Sequence, residues 1–174
     1  MSWAEKQKTE TPPLKILFVN DDAQAMQMNQ LNIRVFKPHW NAVYADSIDK
    51  AVKAYRANPD ITHIVTDKNL FGGDARTLLT KIAKLNADKQ DHPNFKGAVV
   101  YSSWEDKDFD QISLDPLDAM SDRKKDNFQI EGMRTRMVRK SDQTQNGSGD
   151  PTLDAIDRHL DRLSAQGSFI GREN

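Results

Sequence analysis

Short apolar runs that stop at polar residues alternate along this chain with stretches whose apolar residues recur at helical spacing. Leu14-Lys15-Ile16-Leu17-Phe18-Val19 ends abruptly at Asn20-Asp21-Asp22, and its length and β-branched content fit a buried strand. Ala23 to Phe36 follows with Met28, Leu31 and Val35 near helical spacing, closed by Pro38. Ala42-Val43-Tyr44-Ala45 predicts a short strand. Ser47 is placed to cap a helix in which Ile48, Ala51, Val52 and Tyr55 fall at i, i+3, i+4 and i+7, and Asn58-Pro59 ends it. Ile61-Thr62-His63-Ile64-Val65-Thr66 predicts a strand ending at Asp67. Gly72-Gly73 predicts a turn, and Leu78, Leu79, Ile82 and Leu85 form one helical face. Ala98-Val99-Val100-Tyr101 predicts a buried strand ending at Ser102-Ser103, and Arg136-Met137-Val138-Arg139 a weaker one ending at Lys140. Beyond Asp150-Pro151, Leu153, Ile156, Leu160 and Leu163 lie along one stripe of a last helix.

This alternation predicts an α/β fold, a doubly wound sheet of five parallel strands with helices on both faces and right-handed crossovers. Sites in such sheets lie at the carboxyl ends of the strands, which gives weight to the residues that follow each run.

Length and composition narrow the class. The 174 residues favour one domain with residues to spare. The surplus falls in a polar arm (1–13), around 86–96, in a long stretch near 104–135, and in a tail (165–174). Within Trp104 to Asp126 eight acidic residues face four basic ones, a locally acidic insertion. Twenty-five Lys and Arg against 26 Asp and Glu argue against direct nucleic-acid binding by bulk charge. The absence of cysteine excludes disulfides, Cys-rich zinc sites and thiol nucleophiles. No signal-peptide pattern opens the chain, and no apolar run approaches the roughly 18 residues of a membrane span. The expectation is a cytoplasmic protein without a membrane partner.

The strand ends bring together Asp21, Asp22, Asp67, Ser102 and Lys140. Three carboxylates at one sheet edge repel unless a cation compensates them, and Mg²⁺ suits one or two carboxylates while keeping waters for a phosphoryl group. Lys140 supplies a point charge and Ser102 a hydrogen-bond donor for phosphoryl oxygens. Asp67, at the end of the central strand, is the natural nucleophile of an aspartyl-phosphate site. Each residue alone has a plain structural alternative. Asp21-Asp22 can cap the next helix, Asp67 can be a turn aspartate, Ser102 a turn hydroxyl and Lys140 a solvated lysine. The specific signal is their joint placement after successive strands.

At these residues the chain resembles the receiver domain of two-component response regulators, over about Leu14 to Leu163. The resemblance is carried by Asp21-Asp22, by Ile64-Val65-Thr66-Asp67-Lys68-Asn69-Leu70, by Ala98-Val99-Val100-Tyr101-Ser102-Ser103 and by Val138-Arg139-Lys140. It implies a flavodoxin-like three-layer sandwich over 14–164 and a phosphoacceptor at Asp67, charged by a histidine kinase or phosphotransfer protein. It also implies Mg²⁺ held directly by Asp22, Asp67 and the backbone carbonyl of Asn69, with Asp21 acting through a metal-bound water, and Ser102 and Lys140 on the phosphoryl oxygens. Catalysis would be limited to self-phosphorylation and slow hydrolysis. Output would run through an unknown downstream protein or a homodimer, since the tail after Leu163 is shorter than a DNA-binding domain.

The chain also departs from the family pattern. Phe71 stands where Pro is usual, Ser141 follows Lys140 in place of Pro, and Met137 occupies the switch-aromatic position. These leave open a pseudo-receiver that binds partners without phosphate. A Mg²⁺-dependent aspartyl phosphatase is a third class, but it wants an acid where Asn69 stands. His39, His63, His92 and His159 show no ligand spacing and are assigned to packing or surface.

Overall fold

A computed structural model of the protein describes residues 13–89, 91–102, 130–139 and 151–165. Five strands, β1 (Lys15–Val19), β2 (Asn41–Ala45), β3 (His63–Asp67), β6 (Gly97–Ser102) and β7 (Thr135–Arg139), form one parallel sheet in the order β2-β1-β3-β6-β7. Two short strands, β4 (Asn69–Leu70) and β5 (Gly73–Asp74), make a small antiparallel hairpin directly after β3. The helices are α1 (Ala23–Phe36), α2 (Ile48–Ala57), α3 (Ala75–Lys89) and α4 (Pro151–Ala165). The expected α/β sandwich and its five-stranded parallel sheet are what the protein has. Trp104, the acidic segment 104–126, Lys140, Ser141 and both termini lie outside the described residues.

Strand parity divides the core in two. Leu17, Val19, Ile64, Ala98 and Val100 pack against Ile48, Ala51 and Tyr55 of α2 and Leu78, Leu79 and Ile82 of α3. Ile16, Phe18, Val65, Val99 and Tyr101 pack on the other face against Met26 and Ile33 of α1 and Leu153, Ile156, Leu160 and Leu163 of α4. The caps follow the sequence signals. Ser47 Oγ accepts the Lys50 N–H at the start of α2, and the chain leaves that helix at Asn58. Ile130 and Met133, joined by an isolated bridge just before β7, are buried in the α2/α3-side core, so this end of the predicted insertion is packed.

Helix α1 corrects the reading of its own periodicity. Met28, Leu31 and Val35 are exposed, and the buried positions are Met26 and Ile33. The spacing identifies a helix but cannot say which of two apolar faces meets the sheet. The C-terminal end of α1 is clasped to α4, where Lys37 Nζ pairs with Asp154 (2.9 Å) and Asp157 (3.0 Å) and the Trp40 indole N–H donates to Asp157 Oδ1 (3.2 Å).

Gly97 opens β6 at φ +140°, and a Cβ there would collide with the Arg134 carbonyl that accepts the Ala98 N–H. Only glycine admits this close approach of the segment leading into β7.

Candidate functional site

The carboxyl ends of β1, β3 and β6 are neighbours in the sheet, which puts Asn20-Asp21-Asp22, Asp67 and Ser102 along one edge. Asp67 closes the central strand at 9% exposure and pairs in register with Tyr101. Its Oδ1 faces the Asn69 N–H at 3.4 Å. The loop behind it is built tightly. Lys68 N–H donates to the Tyr101 carbonyl (3.0 Å), and Ala75 N–H donates back to the Lys68 carbonyl (2.7 Å). Asp74 Oδ1 then accepts the Thr77 N–H (2.8 Å) at the start of α3. The predicted Gly72-Gly73 turn is the tip of the β4–β5 hairpin, with Gly72 at φ +82° and Phe71 beside it at 82% exposure.

The two acids after β1 have different jobs. Asp22 is the N-cap of α1, its Oδ1 accepting from the Gln24 and Ala25 N–H groups at 2.9 and 3.0 Å. The carboxylate expected as a direct metal ligand thus also holds the helix start, through one of its two oxygens. Asp21, one residue earlier, is exposed. Asn20, which sequence reasoning passed over, is 1% exposed; its Nδ2 donates to the Tyr101 hydroxyl (2.8 Å) and its Oδ1 accepts the Asp22 N–H (2.9 Å). Parity could have found it, because Asn20 continues the Ile16-Phe18 face of β1.

Tyr101 sits between these acids electrostatically. Burial raises its pKa well above the ordinary phenol value, and the negative charges of Asp67 and, less strongly, Asp21 push the same way. Hydrogen bonds from the Asn20 and Asn29 side chains oppose the shift. The phenol thus stays protonated beside the two carboxylates. Ser102 ends β6 at 1% exposure, one residue past the Asp67–Tyr101 pair. Met137, at the position of the family's switch aromatic, is buried in the α2/α3-side core. Lys140 follows the last described residue of β7.

The donor set suits a hard divalent cation. Among the described residues no three His, Asp or Glu side chains gather into a metal-binding group. Mg²⁺, however, is bound through one or two carboxylates with water and other oxygens completing its shell. Asp21, Asp22 and Asp67 are the carboxylates at this edge that could serve it, with the Asn69 carbonyl as a further oxygen.

No protein-family model matches the chain, and no curated protein matches it in sequence. Its fold does match solved structures. A response regulator receiver domain from Clostridium thermocellum is 17% identical with a TM-score of 0.54, over 88% of this chain and 98% of that one. A CheY-like receiver domain from Methanospirillum hungatei gives the same identity, TM-score and coverage. A chain of the complex between the P1 domain of CheA3 and CheY6 from R. sphaeroides is 18% identical with a TM-score of 0.53, over 88% and 98%. The fold is that of response regulator receiver domains. Among the described residues no helix is long and apolar enough to cross a membrane.

Proposed function

We propose that this protein is a receiver module that accepts a phosphoryl group on Asp67 from a histidine kinase or phosphotransfer protein and signals through protein–protein contact. The observation that carries this reading is the near-buried Asp67 carboxylate at the end of the central strand, with Asp21 on one side and Ser102 on the other. A carboxylate oxygen of Asp67 attacks the phosphorus, the bond to the donor's leaving group breaks, and that group departs with the electron pair. Asp22, Asp67 and the Asn69 carbonyl would hold Mg²⁺, with Asp21 acting through a metal-bound water, and the ion when bound would offset the negative charge of the incoming phosphoryl group. The cap of α1 ends on Oδ1 of Asp22, which leaves Oδ2 for the metal. Ser102 donates to a phosphoryl oxygen, and Lys140 is assigned to another. The exposed Met28, Leu31 and Val35 on the outward face of α1, a helix that starts at the acceptor edge, suit docking of a helical donor protein.

Incubation with Mg²⁺ and acetyl phosphate tests the reading. The expected product is an acid-stable, base-labile adduct of one phosphoryl group per chain, abolished in Asp67→Ala. Wild-type protein that takes no label from acetyl phosphate or from a phosphorylated histidine domain would refute it. The burial of Met137 favours a second reading, a pseudo-receiver that binds partners without phosphate, because no aromatic at that position is available to report on Ser102. Unlabelled protein would support that one.

A further inference from the structure

We infer that Tyr101 is a positioning residue of the acceptor edge: acting through Asn20, its hydroxyl sets the turn from which Asp21 and Asp22 meet a divalent cation. The inference rests on the Mg²⁺-dependent acceptor reading above. β1 and β6 are not neighbours; β3 lies between them, so their backbones stand about 10 Å apart at the usual strand spacing. The Asn20–Tyr101 hydrogen bond nevertheless joins them, spanning 81 residues of sequence. Register shows where it passes. Tyr101 pairs with Asp67, while Val19 pairs with Thr66, which sets Asn20 level with Asp67 on the other side. The bond is a strap across the end of the acceptor strand.

The strap continues into the helix. Asn20 has both ends of its amide engaged, Nδ2 on the Tyr101 hydroxyl and Oδ1 on the Asp22 N–H, so its rotamer is fixed from two directions. Asp22 in turn caps α1, and Asn29 of the same helix also hydrogen-bonds the Tyr101 hydroxyl. Asp21 is the residue enclosed by this circuit, and it makes none of the bonds that close it. A tyrosine only 3% exposed and an asparagine only 1% exposed leave little room for the turn to take another shape. An exposed carboxylate held on a fixed turn loses less freedom on coordinating a cation than one on a loose loop. Tyr101 thus acts on metal affinity without touching the metal.

Electron paramagnetic resonance titration of the full chain with Mn²⁺ tests this directly, without any phosphodonor. Tyr101→Phe keeps the ring and removes the strap; its Mn²⁺ dissociation constant should rise five- to tenfold. Asn20→Ala should give at least as large a rise, and the double variant less than the product of the two singles, because the Asn20–Tyr101 bond is common to both. Asp67→Ala should abolish tight binding. If Tyr101→Phe fails to fold, Asn20→Ala decides on the same threshold. A variant that melts earlier but binds Mn²⁺ within twofold of wild type overturns the inference and leaves Tyr101 a purely structural residue. Wild type that binds no Mn²⁺ overturns it too. Acetyl phosphate labelling separates the two claims. Labelling with Mn²⁺ affinity insensitive to Tyr101 sinks the strap alone, whereas Tyr101-dependent Mn²⁺ binding without labelling sinks the acceptor reading alone.

Discussion

The two faces of the sheet are packed by different chemistries. Under α2 and α3 the contacts are chiefly aliphatic, with Leu17, Ile64, Leu78, Leu79, Ile82 and Val100 all fully buried. Under α1 and α4 the apolar contacts are interrupted by buried amides and rings: Asn20 and Tyr101 at the acceptor end, and His63 and His159 along α4. His63 is fully engaged, with Nδ1 against Thr62 Oγ1 (2.9 Å) and Nε2 against Ser164 Oγ (3.2 Å). His159 Nδ1 has no hydrogen-bond partner among the described residues. The aliphatic face supplies non-directional stability. The polar face gives up some of that stability and gains fixed positions, which is what a site at its end requires.

Breaking the aliphatic face should cost most. Leu79→Ala removes a fully buried side chain from α3 and should lower unfolding free energy by about 2–5 kcal/mol. Urea melts would show the loss to be equal at pH 5 and pH 8, since no titrating group is involved.

Acid should find the polar face next. Burial holds both His63 and His159 down to about 4 from an ordinary 6.5, with Lys96 adding to the shift at His63 and Arg136, Arg162 and Arg158 adding at His159. Both rings are neutral in the folded protein, while the unfolded chain takes up their protons below about pH 6.5. Their contribution is therefore complete above pH 6.5 and is lost as pH falls towards 4, up to about 3 kcal/mol for each. His159→Leu should remove its share of that slope in stability measured from pH 7 to pH 4, and should cost little at neutral pH, because its Nδ1 is a buried polar atom without a partner among the described residues. An unchanged slope would place the acid sensitivity elsewhere.

The smallest effect concerns the helix start. Asp22→Ala should cost about 1 kcal/mol through the lost cap of α1. Labelling of Asp67 by acetyl phosphate at limiting Mg²⁺ should fall as well, because the same side chain offers its second oxygen to the metal. Full labelling beside the lost stability would leave Asp22 a cap alone.

These contrasts also mark what the sequence made legible. Runs such as Ile61–Thr66 and Ala98–Tyr101, and the stripe of Leu153, Ile156, Leu160 and Leu163, announced buried elements because their burial is nearly complete and periodicity reports burial. Asp67 was legible as the end of a central strand. Two features of the polar face were not. Met28, Leu31 and Val35 have the spacing of a core face yet point outward, since α1 has apolar residues on two sides and spacing alone does not rank them. Asn20 and Tyr101 sit 81 residues apart, and an amide and a phenol carry no charge or motif that joins them; only the strand order does. Asp22 was legible both as ligand and as cap, and the distances to Gln24 and Ala25 establish its capping role.

The strand order has a consequence for the chain while it is being made. Among the described strands the last in sequence, β7, begins at Thr135, whereas the strand it pairs with, β6, is complete at Ser102. At synthesis rates of about 5–20 residues per second, the open backbone edge of Gly97–Ser102 waits about 2–7 s for its partner to emerge. That edge belongs to the sequence Gly-Ala-Val-Val-Tyr-Ser, uncharged and rich in strand-forming residues, which other nascent chains can pair with during the interval. The time this edge stands open is set by how quickly translation carries the chain from residue 102 to residue 139.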